Sequence, residues 1–245
     1  LLFHTADLAE KLQKEVSHPV RFGMRYGKPS IQAAVDDLVN QGVTEIVAFP
    51  LYPQYSLSAT ETAVEEFTRA VNGRVGISIL PEFYDHPAYI SASAEVAKAA
   101  LSRPHDFVLF SFHGLPERHD KKSIDAGRGS YREQCFTSAR LIAEKLSIPE
   151  NKFSVAFQSR LGRTPWIKPY SDEFYKSAPA AGIKKLIVIS PSFVADCLET
   201  VEEIAIRGKE DFIKSGGEEF TYVPSLNSSP AWVQAVKDIL QKEIR

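Results

Sequence analysis

His113 stands at the end of an apolar run, Phe107-Val-Leu-Phe-Ser-Phe-His-Gly-Leu-Pro116. The run reads as a buried strand that ends near Ser111, with the imidazole, a glycine and a proline just beyond it. In parallel α/β sheets, ligands bind at the carboxyl ends of the strands. An imidazole there can hold a metal ion or take a proton near neutral pH; it could equally cap the strand through a hydrogen bond. A second stretch, Ser190-Pro-Ser-Phe-Val-Ala-Asp-Cys-Leu-Glu-Thr-Val-Glu-Glu203, follows another strand-like run, Leu186 to Ser190. It carries Asp196, Glu199, Glu202 and Glu203, and Glu199 and Glu203 share a face if the segment is an α-helix. Acids in a first helical turn also complement the helix dipole, which is the plainer reading. Two strand ends in one sheet would nevertheless set His113 and Glu199 on one rim, facing one cleft. There they could act as a general base and its partner, or hold a divalent metal of the Fe, Co or Zn type.

A third group is aromatic and basic. Tyr26, Tyr52, Tyr55 and Phe83-Tyr84 fall in loops after strands, and Trp166 lies in Gln158-Ser-Arg-Leu-Gly-Arg-Thr-Pro-Trp166. Rings clustered at strand ends suit a large, flat, apolar ligand, or else pack as core and loop filler. Arg25, Arg160 and Arg163 could meet carboxylates on such a ligand. Ser111 lacks a Gly-x-Ser-x-Gly elbow. No Gly-x-Gly-x-x-Gly or P-loop motif occurs, which argues against dinucleotide or P-loop chemistry.

The elements that would position these residues alternate. Strands are expected at Pro19 to Met24, Glu45 to Phe49, Val75 to Leu80, Asp106 to Ser111, Phe153 to Gln158, Leu186 to Ser190 and Phe220 to Val223. Helices are expected at Ser30 to Gln41 with Ser30 as N-cap, Ala59 to Val71, Pro87 to Ser102, Tyr131 to Leu146, Ser171 to Ala181, Leu198 to Lys214 and Ala231 to Ile244. Such alternation argues for parallel sheets covered on both faces. It runs in two series that divide near Ser102 to Pro104.

Composition narrows the classes. With 44% hydrophobic residues, the 245-residue chain has ample material for a core. Its 29 basic and 31 acidic residues nearly cancel, so no nucleic-acid footprint is expected. The two cysteines, Cys135 and Cys197, form no CxxC pair; cysteine-only zinc and four-cysteine iron–sulfur sites are excluded, and a cytoplasmic setting is expected. No apolar run is long enough for a membrane span, and no signal-peptide pattern opens the chain. Leu1, Leu2, Phe3, Leu8, Leu12 and Val16 have helical spacing, and the single methionine is Met24. This opening leads to the expectation that a segment preceding Leu1 is absent.

Taken together, the motifs resemble the ferrochelatase family, enzymes that insert ferrous iron into a porphyrin. Met24-Arg25-Tyr26-Gly27 resembles its Arg-Tyr-Gly loop, and Pro50-Leu-Tyr-Pro-Gln-Tyr-Ser56 its Tyr-Pro-Gln-Tyr segment. Ser111-Phe-His-Gly-Leu-Pro116 resembles the catalytic histidine motif, and Gln158-Ser-Arg-Leu-Gly with Pro165-Trp166 the porphyrin-side loop. Ser192-Phe-Val-Ala-Asp-Cys-Leu-Glu-Thr200 resembles its Asp-x-x-Glu-Thr motif, with Cys197 where some relatives carry histidine.

The resemblance implies an α/β fold of two Rossmann-like, chelatase-type lobes with parallel four-stranded sheets. The lobes would span 1–103 and 104–229, with the C-terminal helix 230–245 completing the first, which lacks its N-terminal strand. It gives the roles of metal ligand and proton acceptor to His113 and Glu199, with Asp196 and Glu203 nearby, and assigns porphyrin contacts to Arg25, Tyr26, Tyr52 and Trp166. Fe2+ enters as substrate, with no prosthetic group and no iron–sulfur cluster. The expected partners are a porphyrin (protoporphyrin IX or coproporphyrin) and ferrous iron, without nucleic acid, and no signal sets an oligomeric state. A cytoplasmic protein with at most weak peripheral contact at the inner membrane face is implied, and weak activity from this span alone is expected. Two rivals stand beside this reading: a chelatase of the cobalt and sirohydrochlorin type, and a porphyrin carrier without catalysis.

Overall fold

The computed structural model describes residues 1–162 and 164–241. The first half comprises α1 (Leu2–Glu15), α2 (Ile31–Asn40), β1 (Glu45–Ala48), a π-helical turn (Leu57–Glu61) running into α3 (Thr62–Val71), β2 (Gly76–Ile79) and α4 (Pro87–Leu101). The second half comprises β3 (Phe107–His113), α5 (Glu117–Asp125), α6 (Tyr131–Lys145), β4 (Phe153–Gln158), α7 (Ser171–Ser177) and β5 (Lys185–Ile189). It continues with the three-residue α8 (Leu198–Thr200), a π-helix (Val201–Gly208), α9 (Lys209–Lys214), β6 (Glu219–Tyr222) and α10 (Pro230–Leu240).

The larger sheet has four parallel strands in the order β4-β3-β5-β6. Side chains of β3 alternate between its two faces, as the pleat requires. Val108, Phe110 and Phe112 join a core with α1, α4, α6 and α10, whereas Leu109 joins Tyr175, Ile204, Phe212 and Phe220 on the other face. Burial on both faces explains why the strand reads as a continuous apolar run.

The smaller sheet has two parallel strands among the described residues, β1 and β2, where the sequence leads one to expect three, from a four-stranded sheet without its N-terminal strand. Pro19 to Met24, read as a strand, makes only an isolated bridge between Met24 and Ser30. Packing explains the difference. A Cβ on Gly23 would lie 2.6 Å from Ile31 Cα, so the segment presses directly on the start of α2 and turns back there, with Met24 N donating to Pro29 O at 2.8 Å. Ser30 caps α2 as its sequence predicts, accepting from Ala33 N at 3.1 Å.

The C-terminal helix α10 packs on α4 and α1. Its Trp232 is fully buried and stacks on Phe83, with ring centroids 5.8 Å apart. The last residues of the helix expected over 230–245 lie outside the described residues.

Candidate functional site

β3 runs two residues further than the sequence suggested and ends on His113 itself. Both main-chain polar groups of His113 are held: its N–H donates to Ser192 Oγ at 3.0 Å, and its carbonyl accepts from Tyr131 Oη at 2.9 Å. The ring is held as well. Nδ1 lies 2.6 Å from Gly114 O; a carbonyl can only accept, so Nδ1 carries a hydrogen, and in the neutral ring the lone pair is on Nε2. Glycine is required next, because a Cβ at Gly114 would fall 2.7 Å from Gln158 O and 3.3 Å from the Trp166 ring.

Glu199 lies in α8, directly after the loop that leaves β5. The loop is built around Asp196, whose carboxylate accepts from Tyr222 Oη at 2.7 Å, Asn227 Nδ2 at 2.7 Å, Thr200 Oγ1 at 3.0 Å and Ser225 N at 3.3 Å. Burial works to raise the Asp196 pKa, but these donors outweigh it and hold the carboxyl below its ordinary value. Asp196 is therefore a scaffold for the loop. Cys197 caps the helix that follows; burial first, and then the neighbouring Glu199, push its thiol up to about 12.

His113 and Glu199 line one cavity of about 1000 Å³, at the upper end of the range typical of small-molecule sites. Ser192, Phe193, Cys197 and Tyr131 share their side of it. Arg25 and Tyr52 of the first half line the same cavity. From there the cavity runs on along β1, between the apolar faces of α1 and α2. Burial raises the Tyr52 phenol above its ordinary value, partly opposed by Arg25, so it faces the cavity as a neutral donor. The Arg25 guanidinium sits 4.6 Å from the Tyr26 ring centroid, and its buried Nε has no hydrogen-bond partner among the described residues.

Other expected residues fall outside the lining. Tyr26 is 76% exposed and backs Arg25 rather than facing inward. Trp166 packs behind Gly114 and donates its indole N–H to Leu161 O at 3.0 Å. Arg160 is engaged by Asp172 at 3.1 Å and Glu173 at 3.3 Å. Tyr55 donates to Glu61, and Phe83 belongs to the core. Glu203, expected on the face of Glu199, instead accepts from Ser159 Oγ at 2.6 Å. The cause is the switch to π-helix at Val201, which widens the turn and breaks the i,i+4 alignment. Arg163 lies outside the described residues. Tyr131 and Ser192, which grip His113, carry no spacing signal of their own in the sequence.

The family model described as Ferrochelatase matches residues 1–244. The chain is 44% identical over 256 residues to the ferrochelatase of Ectopseudomonas mendocina (strain ymp), covering 96% of this chain and 75% of that protein. It is 42% identical over 253 residues to the ferrochelatase of Pseudomonas aeruginosa (strain LESB58), covering 95% and 74%. Among solved structures it resembles SirB from Bacillus subtilis with Fe3+, at a TM-score of 0.69 and 17% identity over 99% of this chain and 91% of that one. It also resembles CbiX, the terminal enzyme for biosynthesis of siroheme in denitrifying bacteria, at a TM-score of 0.63 and 15% identity over 99% and 90%. These two likenesses show a chelatase-type fold, whereas the family match and the sequence identities reach further: the chain belongs to the ferrochelatase family.

Proposed function

We propose that His113 and Glu199 perform the proton and metal handling of iron insertion in the cavity they line. As a ferrochelatase, the chain is an enzyme, a metal chelatase of heme biosynthesis that places iron in a porphyrin. The reaction takes two pyrrole protons off the ring and exchanges the waters of Fe2+ for four ring nitrogens. In a flat macrocycle the nitrogen lone pairs lie in the ring plane, so bending the ring tilts them toward the incoming ion; such distortion costs roughly 1–5 kcal/mol, drawn from remote apolar contacts. The observation that carries the reading is the Nδ1 contact of His113 with Gly114 O, which in the neutral ring puts the lone pair on Nε2 of a residue that lines the cavity.

In this reading His113 Nε2 accepts a pyrrole proton or touches the arriving ion, and the Glu199 carboxylate keeps the field negative as protons leave. Arg25 receives a carboxylate of the porphyrin edge, and Tyr52 stands beside it as a neutral hydroxyl. The porphyrin is protoporphyrin IX or coproporphyrin, and a panel of the two with sirohydrochlorin ranks them. The reading needs no resident iron–sulfur cluster, since two cysteines cannot supply four thiolates. No helix among the described residues is long and apolar enough to cross a membrane. Weak docking on a membrane surface is supported by Leu161 and Leu198, which are 79% and 74% exposed.

Replacing His113 by Ala should lower iron insertion by about 10²-fold or more while the circular dichroism spectrum is kept, as read by porphyrin absorbance under anaerobic conditions. Normal turnover in that variant would refute the assignment. Tight porphyrin binding by the unaltered protein without metallation would mark a carrier.

A further inference from the structure

We infer that Gln158 is a positioning residue for this reaction, tying the main chain of Glu199 to the strand end that carries His113. The inference rests on the roles proposed above for those two residues and adds a third that does not line the cavity. Gln158 closes β4 and stands opposite His113 in the parallel register. Its carbonyl accepts from Gly114 N at 2.8 Å. Its side chain, in a residue only 6% exposed, is divided between two partners. Oε1 accepts from Ser111 Oγ at 2.8 Å, and Nε2 donates to Glu199 O at 2.8 Å.

Ser111 fixes the sense of the amide. Its hydroxyl lies 2.8 Å from Ser171 Oγ on one side and donates to Gln158 on the other, so the amide oxygen is occupied and the NH2 group turns toward Glu199. The link therefore runs from His113 through the Gly114 amide to the Gln158 main chain, and from the Gln158 side chain to Glu199. Glu199 needs such a support, because it sits in a three-residue helix that at once gives way to π-helix.

The test uses the full chain with ferrous iron and porphyrin under anaerobic conditions. Gln158→Met keeps the volume and loses both hydrogen bonds. It should lower kcat by about 10- to 100-fold, with porphyrin KM and fluorescence-measured porphyrin affinity held within about twofold, the split expected when a reacting group is misplaced and the binding surface is not. In a Glu199→Gln background, or Glu199→Asp should Gln fall below detection, the same change should cost less than about twofold more, because a residue acting through Glu199 has nothing left to position. A kcat within twofold of wild type, a matching loss of porphyrin affinity, or full additivity in the double variant would each overturn the inference. Should Gln158→Met fail to fold, Gln158→Glu keeps the length and the Ser111 bond but, when ionised, offers no N–H to Glu199; the same loss is expected, and a wild-type kcat would overturn the proposal. Wild-type turnover by Glu199→Gln alone would instead sink the role given to Glu199.

Discussion

Two residues of the Asp196–Thr200 segment differ sharply in what their surroundings do to them. Asp196 is held below its ordinary 3.8, so its hydrogen-bond network adds stability that is complete above that value and is lost as pH falls through the lower folded-state value. Urea unfolding midpoints should therefore decline below about pH 4. Asp196→Asn should flatten that part of the profile and lower stability at pH 7, and an unchanged acid limb would contradict the network. Cys197 has the opposite character. With its pKa at about 12, the thiolate fraction at pH 8 is on the order of one in 10⁴. Iodoacetamide should label it far more slowly than a free thiol and gain nearly tenfold per pH unit, as followed by intact mass; rapid labelling at pH 7 would show that the burial is wrong. His113, Glu199, Arg25 and Tyr52, singled out in the sequence, all line the cavity; His113 ends β3, Tyr52 and Glu199 follow β1 and β5, and Arg25 follows a segment that makes only an isolated bridge. Tyr26 and Trp166, singled out likewise, turn away, one beneath the Arg25 guanidinium and one behind Gly114. Which side of a loop a ring takes depends on contacts that spacing does not encode.

At the scale of elements, the informative feature is the π-helix of Val201–Gly208. Periodicity at 3.6 residues predicts Glu199 and Glu203 as one acidic pair, but the wider turn sends Glu203 to Ser159 and leaves Glu199 at the cavity. A π segment behaves as an α-helix with an extra residue, so deleting Glu202 should restore ordinary helical hydrogen bonding. Thermal stability should stay or rise while iron insertion falls by about tenfold or more, because Glu199 is re-aimed; an active deletion variant would show that the wide turn has no part in placing it. The same scale explains α5, Glu117–Asp125, which the pattern did not reveal. Its sequence, Glu-Arg-His-Asp-Lys-Lys-Ser-Ile-Asp, has almost no apolar stripe, and a helix without one leaves no periodic signal. The central strands β3 and β5 of the larger sheet were legible because burial on both faces makes them almost continuously apolar.

For the whole molecule, the question is what binds the two halves around one cavity. The main core is shared: Leu8 and Leu12 of α1, Tyr89 of α4, Phe110 of β3 and Trp232 of α10 belong to one cluster. Trp232 sits at its centre, in ring contact with Phe49, Phe83 and Tyr89. Phe49 lines the cavity, as do Val236 and Leu240 of α10 itself, so the last helix of the described chain forms part of the cavity wall and braces its neighbours. The Trp232 indole N–H has no hydrogen-bond partner among the described residues, which means that its contribution is packing. Trp232→Phe gives up volume but strands no polar partner, and should cost about 1–3 kcal/mol; Trp232→Ala opens a cavity and should cost about 3–5 kcal/mol. Because the core is continuous across both halves, urea unfolding should remain a single transition by circular dichroism and by tyrosine fluorescence in each variant. Two separated transitions, or an Ala variant as stable as the Phe variant, would show that α10 is an appendage rather than the joint between the halves.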